Sequence, residues 1–235
     1  MLDTLPRAQP CREGESALTN NDNPAGAEGQ PGFWDRHVMP RLITFCCGQP
    51  AIAKARSRIV PRAQGRVLEL GCGGGINLDH YDRSRITALA GVDPSKQLLD
   101  TARSKASARG FDADFRAGFA EQLPFADASF DTVLTTFTLC SVRDPDAVLG
   151  EMRRVLAPGG TILFLEHGAA PDSVPARWQR RIEPLWKRIA GGCHLTRPVS
   201  TAFARQGFRL SDCDSRYMPG TPRFLGWIEM GEARA

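Results

Sequence analysis

Val67-Leu68-Glu69-Leu70-Gly71-Cys72-Gly73-Gly74-Gly75 decides the fold: an apolar strand runs straight into a glycine-dense turn, with an acidic residue two places before the first glycine. Such a turn lets a ligand touch the backbone. The dinucleotide fingerprint wants glycines at its first, third and sixth positions. Here the sixth is Ile76, and Gly71, Gly73 and Gly75 alternate instead. Glu69 would repel a pyrophosphate at this turn and suits a ligand that brings a positive amine there.

A second acid follows. Leu89-Ala90-Gly91-Val92 reads as a short buried strand, Asp93 closes it, and Pro94-Ser95 opens a helix. A carboxylate about 20 residues past the glycine turn can accept both hydroxyls of a ribose bound across the first two strands of a doubly wound sheet. An ammonium and an adenosyl ribose occur together in S-adenosylmethionine, the ligand these two carboxylates suit.

The 235 residues suffice for one large α/β domain with its own core. Net charge is only +4 and the charges are interspersed, so no nucleic-acid partner is expected. The seven cysteines, Cys11, Cys46, Cys47, Cys72, Cys140, Cys193 and Cys213, form no C-x-x-C pair, and no histidines cluster at zinc spacing. This predicts a reduced, cytoplasmic chain without a metal. Residues 1–31 are rich in Pro, Gly, Asn, Asp and Glu and lack an apolar run. They read as a disordered tail rather than a signal peptide. No segment approaches the roughly 20 apolar residues that span a bilayer.

From residue 32 to 235 the pattern predicts a single domain. Phe33, Val38, Leu42, Ile43 and Phe45, then Ile52, Ala55 and Ile59, are broken by Pro40 and Gly48-Gln49-Pro50, which predicts two short helices within 32–62. Strands at 66–70, 88–92, 113–117, 130–136 and 160–166 alternate with helices at 75–81, 95–109 and 145–156. Two final strands fall near 208–216 and 223–230, after an insertion at 171–200. This is the pattern of a doubly wound, Rossmann-like α/β fold of seven strands with an antiparallel C-terminal edge hairpin. Asp93-Pro94 and Asp144-Pro145 supply cap-plus-proline helix starts, and Gly110 a stop.

Leu68-Glu69-Leu70-Gly71-Cys72-Gly73-Gly74-Gly75, Val92-Asp93-Pro94-Ser95, Phe130-Asp131-Thr132-Val133 and Arg154-Val155-Leu156-Ala157-Pro158-Gly159-Gly160 resemble the successive motifs of class I S-adenosylmethionine-dependent methyltransferases. Thr138-Leu139-Cys140-Ser141-Val142, Leu165-Glu166-His167, Trp178, Pro184-Leu185-Trp186 and Gly192-Cys193-His194-Leu195-Thr196-Arg197 are similar to the methyltransferase-like protein 7 family of thiol S-methyltransferases. Members of that family carry an apolar N-terminal membrane anchor, from which the polar tail here departs.

These readings assign Gly71, Cys72, Gly73 and Gly75 to close approach of the donor's methionine part, Glu69 to its ammonium, and Asp93 with Pro94 to the ribose. Asn77 either bonds the methionine carboxylate or caps a helix. The adenine falls near Phe119-Ala120-Glu121, because ligands of open sheets bind beyond the carboxyl ends of the strands. Glu121 could equally cap the following turn. Thr135 and Thr136 face the donor or are simply β-branched strand residues.

Glu166 and His167 point towards the acceptor, with His167 taking a proton or only bonding within its loop. His194 and Arg197 line the acceptor pocket or form a turn. Trp178, Ile182, Leu185, Trp186 and Ile189 make an apolar helical stripe beside Arg177, Arg180, Arg181, Lys187 and Arg188. That pattern suits a lid, simple packing, or peripheral contact with anionic lipid. The expected acceptor is a small molecule: first a thiol, then a quinone precursor or phospholipid head group. A non-catalytic donor-binding protein is the reading from another class.

Overall fold

The computed structural model describes residues 50–235, so the tail and the apolar positions from Phe33 to Phe45 lie outside the described residues. Seven strands form one sheet in the order β3-β2-β1-β4-β5-β7-β6. They are β1 (Gly65–Leu70), β2 (Ile86–Asp93), β3 (Ala113–Ala117), β4 (Phe130–Thr136), β5 (Leu156–His167), β6 (Arg209–Tyr217) and β7 (Trp227–Arg234). The first five are parallel, and β7 pairs antiparallel with both β5 and β6. The expected C-terminal antiparallel pair is present, with the last strand inserted inside the sheet.

Alternation along the strands divides the core into two layers. Val67, Leu134, Leu163 and Leu165 pack with Ile52, Ala55 and Ile59 of α1 (Pro50–Ile59) and with Leu99, Ala102 and Ala106 of α2 (Lys96–Ala108). Leu68, Leu70, Val133, Ile162 and Phe164 pack on the other face with Val148, Leu149 and Met152 of α3 (Pro145–Val155). Phe203, from the short helix α5 (Val199–Arg205), joins them. The helix between, α4 (Ser173–Ile189), lies over one end of the sheet and carries Pro184 inside it.

Several local expectations change. The segment expected as a helix at 75–81 is one 3-10 turn, Ile76–Asp79, entered through the left-handed Gly75 (φ 72°). Asn77 and Tyr81 there bond Glu69 rather than continuing a helix. The cap of α2 is Ser95, whose Oγ accepts from the Leu98 amide at 3.3 Å, because the Asp93 carboxylate is turned to Gly73 and Ser95. Asp144 caps α3 as expected, accepting from the amides of Asp146 and Ala147. Pro158-Gly159-Gly160 belongs to a bulge within β5: Phe130 pairs with Leu156, yet Thr132 pairs with Thr161. The last strand begins at Trp227 because Arg223–Gly226 forms a helical turn.

Candidate active site

One cavity of about 620 Å³ opens beyond the carboxyl ends of the parallel strands. Its floor is the turn after β1. Gly71 lies at φ 63°, and a Cβ there would stand 2.3 Å from the Thr138 hydroxyl, so β4's exit loop fixes that glycine. Gly73 lies at φ 50°, and a Cβ there would meet no protein atom within 4 Å. That position is open towards the cavity. Gly75 does not line the cavity; a Cβ there would collide with Leu78 and Ala102, so it serves packing of the turn on α2. Cys72 lines the cavity with its thiol buried, and burial raises its pKa well above the ordinary range.

Glu69 is 3% exposed. It accepts from Asn77 Nδ2 at 2.8 Å and from the Tyr81 hydroxyl at 2.7 Å. Burial pushes its carboxyl up to about 7, against Tyr81, Arg56 and Asn77, all of which favour the ionised form. Asp93 accepts from the amides of Gly73 and Ser95, both at 2.9 Å, which locks its plane at the cavity wall beside Pro94. Burial raises its pKa too, opposed by those two donors.

The strand layers decide which expected pairs reach the cavity. Thr136 and His167 lie on the Val67 and Glu69 side and line it. Thr135 and Glu166 lie on the other face, do not line it, and bond each other at 2.7 Å. Glu166 is wholly buried and also accepts from the amides of Thr138 (3.0 Å) and Cys140 (3.3 Å). It holds the loop after β4 in place, and burial raises its pKa. Asn77 is likewise 1% exposed and off the cavity surface. It joins Glu69 to Thr136 (3.0 Å) as a connector.

At the other end Phe119, 54% exposed, and Ala120 line the cavity beside Glu121. Glu121 accepts from the Arg143 amide at 2.8 Å, and the Arg143 guanidinium lies 5.4 Å from the Phe119 ring centre. The roof comes from α4 and the turn after it, through Trp186, Ile189, Ala190, Gly191 and Cys193. Ile182 and Trp186 turn inward, whereas Trp178 and Leu185 stay exposed, so the predicted stripe is split between two faces. His194 and Arg197 do not line the cavity: His194 pairs with Glu183 at 3.2 Å, and Arg197 donates to the Leu139 carbonyl at 2.6 Å.

Residues 68–164 match the methyltransferase domain family. The chain is 41% identical over 168 residues to thiol S-methyltransferase TMT1B of Rattus norvegicus, covering 70% of this chain and 66% of that protein. Its Homo sapiens counterpart is 40% identical over 173 residues, 72% of this chain and 69% of that protein. The chain belongs to the S-adenosylmethionine-dependent methyltransferases. A more distant relative, demethylmenaquinone methyltransferase of Thermus thermophilus, is 34% identical over 57% of this chain and 61% of its own length. A solved SAM-dependent methyltransferase from Thermotoga maritima shares the fold at TM-score 0.61, with 20% identity over 85% of this chain and 96% of that one.

The donor of this methyltransferase is S-adenosylmethionine, and the cavity fits it on two independent observations. Gly73 leaves open space where any side chain would intrude. Arg56 of α1, 4% exposed, also lines the cavity. It donates through Nη1 to Asn77 Oδ1 (2.5 Å) and Thr136 Oγ1 (2.7 Å), while its Nε has no partner among the described residues. A buried guanidinium N–H left over is costly unless a ligand takes it, and an amino-acid carboxylate placed beside Glu69 would do so. Sequence reasoning missed Arg56. It sits in Ala53-Lys54-Ala55-Arg56-Ser57-Arg58, where nothing sets it apart from its charged neighbours.

Proposed function

We propose that this methyltransferase acts in the cytoplasm and transfers the methyl group to the sulfur of a small thiol. The observation that carries the reading is the composition of the cavity's far end. It is apolar and closed by Trp186 and Ile189, and it presents one imidazole, His167, with the buried thiols of Cys140 and Cys193. A thiol with a reference pKa near 8.5 needs little help to ionise near neutral pH. One imidazole is therefore enough, whereas a carbon or amine acceptor would ask more of the walls. The identity to proteins named thiol S-methyltransferases supports the same choice. The seven cysteines include no C-x-x-C pair, in keeping with a reducing compartment.

Bound S-adenosylmethionine supplies an electrophilic methyl on a sulfonium. The chain's own work is alignment, which can contribute roughly 7 to 11 kcal/mol when the partners are well oriented. Glu69, Arg56 and Thr136 hold the amino-acid end, Asp93 the ribose, and Phe119 and Ala120 the base. The lid formed by the end of α4 excludes water, and His167 takes the thiol proton at its ring nitrogen. Glu166 acts at one remove, by fixing Thr138 and Cys140.

A second reading, a quinone precursor or phospholipid head group as acceptor, draws on the Thermus relative and on the exposed Trp178, Leu185 and Ile189 among arginines. Release of S-adenosylhomocysteine against matched thiols, quinols, amines and phospholipids, with Asp93→Ala as control, decides between them. Thiol-dependent release that vanishes in the control is expected; release only with quinols or lipids refutes the thiol reading. Donor binding without any release would favour a non-catalytic protein.

A further inference from the structure

Three soft donors meet at the acceptor end of the cavity. The sulfurs of Cys140 and Cys193 and a ring nitrogen of His167 lie within 4.8 Å of one another, and all three residues line the cavity. Cys193 Sγ is 3.8 Å from His167 Nδ1. A tetrahedral zinc ion with bonds of about 2.3 Å to sulfur and about 2.05 Å to nitrogen sets its ligand atoms about 3.6 to 3.8 Å apart. The cluster needs to close by about 1.2 Å at most on its longest edge to reach that spacing.

The arrangement is held from outside. The His194 amide donates to the Cys140 carbonyl at 2.7 Å and ties the two cysteine segments together. Glu166 accepts from the Cys140 amide and so fixes the first sulfur's backbone. Gly191 and Gly192 both take left-handed φ angles, 62° and 82°, and a Cβ on Gly192 would come within 3.4 Å of the Ser141 carbonyl. That double-glycine turn is what lets Cys193 approach Cys140. Such support around ligand side chains is what orients them in metal sites.

We propose that Cys140, His167 and Cys193 form a three-ligand site for one soft, thiophilic metal ion, with its fourth position open to the acceptor end of the cavity. Two cysteines and one histidine with an open place is the donor set of a catalytic rather than a structural zinc site. Two thiolates also neutralise a divalent ion. The ordinary alternative is that buried cysteines pack as small apolar groups. It does not account for both sulfurs and the imidazole facing the one wall where the acceptor must sit.

If the thiol reading holds, the fourth ligand is the acceptor sulfur, a step that rests on that reading while metal binding does not. The acceptor R–S–H binds through sulfur and gives its proton to solvent. The thiolate pair then forms the new S–CH₃ bond as the methyl–sulfonium bond breaks. The electrons of that bond stay on the donor sulfur, giving neutral S-adenosylhomocysteine, and the thioether leaves the ion. His167 is then a ligand, a role that replaces the proton acceptor it would be in the metal-free site.

The test uses the whole reduced chain, stripped of metal by chelator and titrated with Co²⁺ and then Zn²⁺ in competition with a chromophoric chelator. One equivalent is expected, with an intense near-ultraviolet sulfur-to-cobalt band. Cys140→Ser, Cys193→Ser and His167→Gln should each weaken binding by about 100-fold or more, as loss of a ligand must exceed the 10- to 100-fold typical of an outer-shell partner. Cys213→Ser and the double change Cys46→Ser with Cys47→Ser should leave it intact. S-adenosylhomocysteine binding by every variant reports that it is folded. Absence of a stoichiometric site in the reduced protein, a band that survives loss of Cys140 or Cys193, or one lost with Cys46 and Cys47 would overturn the proposal. A cobalt band that shifts on adding a small thiol supports the acceptor step. A band that ignores thiols, in a protein that turns them over, removes that step and leaves the metal site standing.

Discussion

Arg56 makes the sharpest prediction about donor recognition. Its Nε is the buried guanidinium donor without a partner among the described residues, and it lines the cavity next to Glu69 and Thr136. A hydrogen bond to a charged group contributes about 1.5 to 3 kcal/mol, so Arg56→Met should raise the dissociation constant for S-adenosylhomocysteine by about 10- to 150-fold. The change also removes two donors from Asn77 and Thr136, so some general loosening is expected. Two calorimetric titrations separate the effects. 5′-Methylthioadenosine keeps the adenosine and the sulfur but has no amino-acid carboxylate or ammonium, and its affinity should change less than about threefold. Arg56→Lys, which keeps the charge but loses the Nε geometry, should recover part of the lost affinity for S-adenosylhomocysteine alone. Equal losses for both ligands would mean that Arg56 only supports the wall, and no loss for either would refute the carboxylate contact.

Glu69 predicts a pH dependence. Its carboxyl titrates near 7 in the free protein, and an ammonium alongside favours its ionised form. Affinity for S-adenosylhomocysteine should therefore rise up to about pH 7 and level off above it; Glu69→Gln should flatten this profile, and 5′-methylthioadenosine should show none. Because the folded pKa exceeds the ordinary 4.5, Glu69's contribution to stability is full below about 4.5 and is lost as pH rises to about 7. Chemical denaturation across that window, with Glu69→Gln beside it, checks the sign. Gly73→Ala should cost about 1 to 2 kcal/mol of stability for its left-handed backbone yet abolish donor binding, while Gly71→Ala, driven into Thr138, should lower the melting temperature further; equal melting curves would contradict the geometry. Glu166→Gln, which keeps one accepting oxygen but sets an NH₂ against a remaining donor, should destabilise by about 1 to 3 kcal/mol and lower kcat without changing donor affinity, read by thermal melts and steady-state kinetics.

Much of the fold is encoded locally. The β1 turn, the acid ending β2, the strands through β5 and the Asp144 cap depend on neighbours a few residues apart, and their glycines, prolines and apolar runs announce them. Period-two alternation, applied to Thr135-Thr136 and Glu166-His167, would have separated the cavity-facing member of each pair, but the face could not be chosen without knowing which helices cover which side. Arg56 and Asn77 gain their meaning from Thr136 and Glu69, on other strands. Cys140, His167 and Cys193 come from three separate segments, so no spacing rule for metal ligands could gather them. The stripe on α4 is split because Ile182 and Trp186 pack on Cys140, Cys193 and Leu195 from other segments, which periodicity does not encode.

The insertion of β7 between β5 and β6 has a consequence for how the chain is made. On the ribosome, the edge of β5 stays bare until residues 227–234 emerge, roughly 3 to 12 s after His167 at 5–20 residues per second. An unpaired apolar edge of that kind invites pairing with the wrong partner. The described walls of the donor end, from Arg56 to Arg143, are already synthesised by then. The backbone of His167 gains its antiparallel neighbour when it pairs with Ile228. The whole described lining of the cavity thus precedes the strand that completes the sheet, and donor bound at that stage would steady the half-built sheet while its last strand arrives.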